Sequence, residues 1–204
     1  MSIVRRVKLV KMEMVRVNMD LGPDYFLDEY PGSFLLPIGL LAQGPDAAAA
    51  AGPSADPSAT GGRTRHRLTE EVMVLESEDT LAMDFEERLR HAHGDHPLAG
   101  SAFFIRHLKA APSLIIGRNA TCDLCIPEPS VSDRHCEIML DDQGRLTGVD
   151  LLSKNGTSVN LQRVVPGAPM MIEDEDILTI GRYSFEFFRA ESLYQALQVV
   201  YQGG

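Results

Sequence analysis

The sequence predicts an all-β fold: a β-sandwich followed by a C-terminal helix and preceded by an N-terminal extension on a flexible linker. From Ser101 onward, short apolar runs alternate with turn-forming residues, a spacing typical of sandwich strands. Residues 43–67 are rich in Ala, Pro, Gly and Ser and lack the apolar side chains that would offset the entropy cost of ordering. The hydrophobic fraction of 44% over 204 residues is sufficient for a buried core.

Residues 1–42 are expected to form the N-terminal extension, which is partly apolar. Its first apolar residues, between Val4 and Val17, fit either a strand or an amphipathic segment. A basic amphipathic segment can bind a membrane surface, but a short solvated extension is the expectation here. The apolar group between Tyr25 and Leu41 is broken by proline and glycine, which excludes a long helix. We expect this second part to dock on the main domain or on a partner.

Residues 68–100 are expected to lead into the sandwich as one strand and a polar connection. The apolar residues between Glu71 and Ser77 favour the strand, and the polar stretch from Asp84 to His93 favours a short helix. The sandwich is expected over residues 101–189, and a terminal helix over residues 190–204. The predicted sandwich strands are Ala102–Leu108, Ser113–Ile116, Leu124–Ile126, Cys136–Leu140, Leu146–Leu152, Ser158–Val164 and Ile177–Phe188.

Charge and composition narrow the classes of partner. The formal net charge of −10 argues against general binding to nucleic acids or anionic membranes, so no nucleic-acid partner is expected. The chain has no apolar run of about 18 residues, so no transmembrane segment is expected. The odd number of cysteines, 3, suits reduced thiols better than a disulfide framework. A cytoplasmic location is therefore the expectation.

Three short motifs follow or flank predicted strands, so all three are expected in loops. They are Gly117-Arg118, Ser132-Asp133-Arg134-His135 and Asn155-Gly156-Thr157. Arginine offers phosphate oxygens a planar, permanently charged fork. Serine adds a small hydroxyl donor, and asparagine adds an amide that both donates and accepts. The set therefore contains what a phosphate-binding pocket needs.

The chain from about Ser101 to Phe188 resembles a forkhead-associated (FHA) domain, because the three motifs follow one another in that family's order with strands between them. That family is a β-sandwich that binds phosphothreonine peptides through loops at one end. Further matches are Val131 before the serine, Val159-Asn160 after the Asn-Gly-Thr motif, and Asp176-Ile177 ahead of Gly181. The resemblance implies a module without catalytic residues, metal or cofactor.

The resemblance also assigns roles to individual residues. Arg118 and Ser132 are expected to hold the phosphate, and Asn155 the peptide backbone beside it. Lys154 lies where the family also contacts ligand, and its ammonium would add long-range attraction. The residues expected to contact or flank the peptide are Arg118, Ser132, Asp133, Arg134, Lys154 and Asn155. The residues expected to shape the loops are Gly117, His135, Gly156 and Thr157.

Asp133 departs from the family pattern, in which the residue after the serine is often basic or an amide. A carboxylate near a phosphate dianion is unfavourable unless it points away or pairs with a neighbour such as Arg134. This departure bears on affinity and not on the fold.

The expected function is phosphothreonine-peptide binding that recruits a phosphorylated partner in intracellular Ser/Thr-kinase signalling. The partner is a phosphothreonine-containing protein or peptide, with a Ser/Thr kinase or its substrate as candidates. One alternative is a phosphate-independent docking scaffold with the same fold. A more distant alternative is a metal-dependent hydrolase using the cluster His91–His96, which resembles a metallo-β-lactamase motif but lacks the strand leading into it. Cys122-x-x-Cys125 is a single pair and weak evidence for zinc.

Overall fold

The structure is a computed structural model that describes residues 7–41, 74–75, 84–91, 98–106, 113–140 and 145–202. The expected linker, residues 43–67, lies outside the described residues. The strands are β1 (Val7–Lys11), β2 (Gly32–Leu41), β3 (Val74–Leu75), β4 (Ser101–Arg106), β5 (Leu114–Gly117), β6 (Leu124–Cys125), β7 (Cys136–Leu140), β8 (Leu146–Asp150), β9 (Thr157–Val159), β10 (Gln162–Arg163), β11 (Pro169–Ile172), β12 (Ile177–Ile180) and β13 (Tyr183–Arg189). The helices are α1 (Met12–Asp20), α2 (Pro23–Glu29), α3 (Phe85–His91) and α4 (Ala190–Gln202).

The strands form two sheets packed face to face. The larger sheet has the order β1-β4-β2-β13-β12-β9-β10, with β3 paired to β2, and the smaller sheet has the order β11-β8-β7-β5-β6. Residues of both sheets, such as Phe103 and Phe185 from the first and Ile116 and Ile138 from the second, form one buried cluster. The predicted β-sandwich with a C-terminal helix is therefore confirmed.

The strand β2 changes the expected division of the chain. It lies in the middle of the larger sheet, pairing with β13 from Ser33↔Arg189 to Leu40↔Tyr183 and with β4 at its first residues. The structure therefore differs from the expectation that the sandwich begins at residue 101. The sequence did not indicate this strand because it contains Pro37, and proline is rarely found in a central strand. Here the register shifts between Ser184 and Phe185, opposite Pro37, and this irregularity accommodates the residue that cannot donate to the ladder.

The N-terminal residues form a second core on the outer face of the larger sheet. Side chains alternate along a strand, so Leu35 faces the sandwich core while Phe34 faces outward. Phe26 packs against the rings of Tyr30 and Tyr194, which joins α2 to α4. The expectation that the first residues form a solvated extension is therefore wrong. They form both a strand and a helix, and the side chains buried in the second core include Val10, Met12, Val15 and Met19.

Helix α3 is attached to the larger sheet through an ion pair. The guanidinium of Arg88 donates from Nη2 to Oε1 of Glu186 at 2.6 Å and from Nε to Oε2 at 2.9 Å. The Glu186 carboxylate is fully buried in β13, and Leu89 of α3 is buried in the second core. The Asp84 carboxylate accepts the backbone N–H of Glu87 at 2.8 Å, which caps the start of the helix. Among the residues described, no helix has the length and apolar character needed to cross a membrane.

Two predicted runs are each divided by a tight turn. The run Ser158–Val164 contains the hairpin of β9 and β10, whose turn residues Asn160 and Leu161 have φ values of 46° and 65°. The run Ile177–Phe188 contains β12 and β13, which are joined at Gly181 with φ 62°. Strand β11 was not among the predicted strands.

Candidate functional site

Four loops meet at one end of the sandwich and bring the three sequence motifs together. The backbone N–H of Arg118 donates to the carbonyl of Ser132 at 2.9 Å, and the Asn155 side-chain amide donates to the carbonyl of Ser130 at 2.7 Å. The turn between β12 and β13 completes the contact, because the N–H of Arg182 donates to Ser130 Oγ at 2.9 Å. Residues far apart in sequence are thereby held in one surface.

Ser132 is fixed by two hydrogen bonds that leave its hydroxyl proton available. Its backbone N–H donates to Nδ1 of His135 at 3.0 Å, and its Oγ accepts the backbone N–H of Lys154 at 3.0 Å. In the described part of the chain, the hydroxyl proton itself has no acceptor. The half-buried Ser132 hydroxyl can therefore donate to an anion arriving from solvent.

His135 joins two of the loops from inside the protein. Its Nδ1 accepts a backbone N–H, so the proton lies on Nε2, which donates to the Gly156 carbonyl at 2.9 Å. Burial lowers the pKa of this imidazole, an effect opposed by the bond to Gly156 and by the charge of Asp150. The described geometry directs neither ring nitrogen to the Ser132 hydroxyl, so it is not the Ser–His pair of a hydrolase.

Asp150 is a site residue that the sequence motifs did not single out. Its fully buried carboxylate accepts the Ser153 N–H at 2.9 Å, the Ser153 hydroxyl at 2.7 Å and the Thr157 hydroxyl at 2.6 Å. These bonds shape the loop that carries Lys154 and Asn155. The available signal was an Asp at a strand end with a Ser three residues later, the pattern of a local side-chain-to-backbone turn.

Two glycines permit close contacts around the site. A Cβ on Gly117 would lie 2.3 Å from the backbone carbonyl oxygen of Asp133, so the two segments approach more closely than any side chain allows. Gly156 has φ +78°, and a Cβ there would lie 2.7 Å from the guanidinium of Arg163. Arg163, which the motifs did not predict, therefore places a cation beside the Asn155-Gly156 turn.

Two exposed charged residues of the site, Arg118 and Asp133, form an ion pair. Arg118 donates to Oδ1 of Asp133 from Nη2 at 2.7 Å and from Nε at 3.2 Å. The sequence offered a neighbour such as Arg134 as one partner for Asp133, and the structure pairs Asp133 with Arg118 instead. Arg118 reaches Asp133 because β5 and the loop before β7 run side by side, whereas the side chain of Arg134 is exposed. Lys154 is also exposed.

The cysteines have different environments. Cys122 and Cys125 are half-buried, and their thiols donate to the carbonyls of Asp133 at 3.1 Å and Arg118 at 3.4 Å. Cys136 is fully buried, and burial strongly raises the pKa of its thiol. No group of three or more His, Cys, Asp or Glu side chains suited to a metal occurs within the described ranges. The cluster His91–His96 lies outside them, apart from the backbone of His91.

Residues 114–181 match the family model of the FHA domain. The matched segment begins at β5 and ends at the turn after β12, so it contains Arg118, Ser132 and Asn155. The chain therefore contains an FHA domain. The strands β2, β4 and β13 of the larger sheet lie outside the matched segment.

Two curated proteins are similar over this part of the chain. The FHA domain-containing protein PS1 of Arabidopsis thaliana is 35% identical over 69 residues, which is 33% of this chain and 5% of that protein. The probable serine/threonine-protein kinase fhkA of Dictyostelium discoideum is 31% identical over 86 residues, which is 39% of this chain and 14% of that protein. The chain thus spans only a small part of the length of either relative.

Solved FHA domains are also similar. One is the N-terminal FHA domain of Rad53p from S. cerevisiae, solved with a phosphothreonine peptide: 26% identity, TM-score 0.38, with 50% of this chain and 91% of that chain covered. Another is the FHA domain of a hypothetical protein of Arabidopsis thaliana: 26% identity, TM-score 0.40, with 46% of this chain and 77% of that chain covered.

Proposed function

We propose that this protein binds phosphothreonine peptides and so recruits a phosphorylated protein partner in intracellular Ser/Thr-kinase signalling. The observation that carries the proposal is the meeting of Arg118, Ser132 and Asn155 on one loop surface within an FHA domain. The name of the Dictyostelium discoideum relative, a probable serine/threonine-protein kinase, supports a kinase-signalling context.

The proposed roles follow from the hydrogen-bonding capacity of each group. Arg118 keeps its Nη1 donors without an acceptor among the described residues, and the Ser132 hydroxyl keeps its proton. A phosphothreonine brings a charge of about −1.5 to −2 and three acceptor oxygens, so both donors make charge-assisted bonds. Asn155 orients the peptide backbone, and the exposed Lys154 attracts the phosphate through solvent.

The test is a titration with a degenerate phosphothreonine peptide library and its unphosphorylated counterpart. The wild type is expected to bind only the phosphorylated peptides, and Arg118→Ala is expected to lose at least about tenfold in affinity, as for a charge-assisted bond. Arg90→Ala, which removes an exposed arginine on α3, is the matched control and is expected to bind like the wild type. Equal binding by the wild type and Arg118→Ala would contradict the proposal.

A docking scaffold that ignores phosphate is the second candidate function. The observation favouring it is that Arg118 is already paired with Asp133. A scaffold predicts that partner capture survives treatment of the partner with a phosphatase. The phosphate-dependent function predicts that the same treatment abolishes capture.

A further inference from the structure

The Arg118–Asp133 pair places a negative charge inside a site built for an anion. Both hydrogen bonds from Arg118 end on the same carboxylate oxygen, Oδ1, and Oδ2 has no hydrogen-bond donor among the described residues. The side chain of Asp133 is 68% exposed, and that of Arg118 is 44% exposed. The pair is therefore within reach of a ligand on the surface.

The backbone of Asp133 holds its carboxylate close to the site. The Asp133 carbonyl accepts the Asn119 N–H at 3.2 Å and the Cys122 thiol at 3.1 Å. The Cα of Gly117 packs against the same carbonyl so closely that a Cβ would lie 2.3 Å away. A peptide can displace the side chain of Asp133 from Arg118 while these contacts hold its backbone in place.

A phosphate at Arg118 therefore leaves an uncompensated carboxylate beside it. The Arg118 cation is then shared between Asp133 and a group with a charge of about −1.5 to −2, so these three groups together carry a net negative charge. Among the described residues, the Asp133 carboxylate accepts side-chain hydrogen bonds from Arg118 alone. A basic residue of the ligand can supply the cation that Asp133 then lacks.

We infer that Asp133 is a specificity-determining residue that selects peptides carrying a lysine or arginine next to the phosphothreonine. This inference rests on the proposed function. On binding, the Arg118–Asp133 pair is exchanged for two pairs: Arg118 with the phosphate, and Asp133 with the basic residue of the peptide. A peptide with only neutral or acidic residues next to the phosphothreonine leaves Asp133 unpaired beside the phosphate and binds more weakly.

The test compares peptides that differ only in the residues flanking one phosphothreonine. An arginine is placed in turn at each of the two positions before and after it, with alanine and glutamate at the same positions as comparisons. At low ionic strength the wild type is expected to bind the best arginine peptide about fivefold more tightly than the alanine peptide. Added salt is expected to shrink the preference, because this ion pair is exposed.

Asp133→Asn keeps the shape of the side chain and removes its charge. It is expected to bind the alanine peptide more tightly than the wild type does and to lose the preference for arginine. Asp20→Asn is the matched control, because it changes the net charge equally at an exposed position on α1 and is expected to keep the preference.

Each outcome separates the inference from the proposed function. Arginine preference that disappears in Asp133→Asn alone supports the inference. Phosphate-dependent binding without an arginine preference, or a preference that Asp20→Asn reduces equally, overturns the inference and leaves the proposed function standing. Absence of phosphate-dependent binding overturns both.

Discussion

The Ser132 hydroxyl accepts the backbone N–H of Lys154 at 3.0 Å, so the residue proposed to hold phosphate also fixes the loop that carries Lys154 and Asn155. One side chain thus links two segments of the binding surface. Removing it is expected to affect both the fold of the loop and the affinity for ligand.

Ser132→Ala is the first prediction. The unfolding free energy is expected to fall by about 1 kcal/mol, the typical net value of one hydrogen bond. The free energy of binding to a phosphothreonine peptide is expected to fall by more than the unfolding free energy does, because the donor to phosphate is also lost. Urea denaturation and peptide titration measure the two effects. Ser132→Thr retains the hydroxyl and serves as the control, and an affinity for Ser132→Ala within twofold of the wild type would remove Ser132 from the site.

Gly117→Ala is the second prediction. Its Cβ would lie 2.3 Å from the Asp133 carbonyl oxygen, so the two backbone segments must separate, at a cost of about 1–3 kcal/mol or more. Gly167→Ala is the control, because Gly167 has φ +78° with no heavy atom within 4 Å of the added Cβ. That control carries only the strain of the left-handed backbone, about 1–2 kcal/mol. Thermal denaturation compares the variants, and only Gly117→Ala is expected to weaken peptide binding.

The third prediction concerns pH and His135. Burial lowers the pKa of the folded imidazole, so the unfolded chain binds the proton more readily. The stability that His135 contributes is therefore complete above its unfolded pKa, near 6.5, and is lost as pH falls toward its folded pKa. The slope is at most about 1.4 kcal/mol per pH unit.

Urea titrations between pH 7.5 and 5.5 test this dependence against His135→Asn. The variant is expected to be less stable at pH 7.5, since both loop hydrogen bonds change, and to show a flatter pH dependence. Nitrogen chemical shifts of the imidazole should show the proton on Nε2 in the folded protein. An identical slope in the variant would mean that the pH dependence comes from another group.

The fourth prediction concerns the pair that attaches α3. Arg88→Ala leaves the fully buried Glu186 carboxylate without its guanidinium and is expected to lower stability by about 3–5 kcal/mol at pH 7.5. Burial already raises the pKa of Glu186 and Arg88 opposes this, so removing Arg88 raises it further. The stability of the variant should therefore recover as pH falls and Glu186 becomes protonated.

The double variant Arg88→Met/Glu186→Met is the control for this pair. It removes both charges and is expected to be far closer to the wild type than Arg88→Ala, because no unpaired charge stays buried. A double variant as unstable as Arg88→Ala would show that packing, rather than charge pairing, secures the helix.

The sequence predicted β5, β6, β7 and β8 of the smaller sheet and the loop motifs, because strand spacing and turn residues are local signals, but it missed β11. It did not predict the central position of β2, since Pro37 argues against such a strand and only the register of β13 shows how it fits. The sequence offered the adjacent Arg134 only as one example of a partner for Asp133. The pairing with Arg118 depends on two segments 15 residues apart lying side by side, which local sequence signals do not show.

The position of β2 between β4 and β13 has a consequence for synthesis on the ribosome. This central strand of the larger sheet is made early, but its partner β13, Tyr183–Arg189, is among the last described segments to be made. At about 5–20 residues per second, residues 32–41 wait on the order of 10–30 s for that partner. During this interval the edge of β2 and the apolar side chains of Phe34 and Leu35 lack their native cover. A nascent chain of this protein is therefore expected to depend on chaperones more than a domain whose strands pair in order of synthesis.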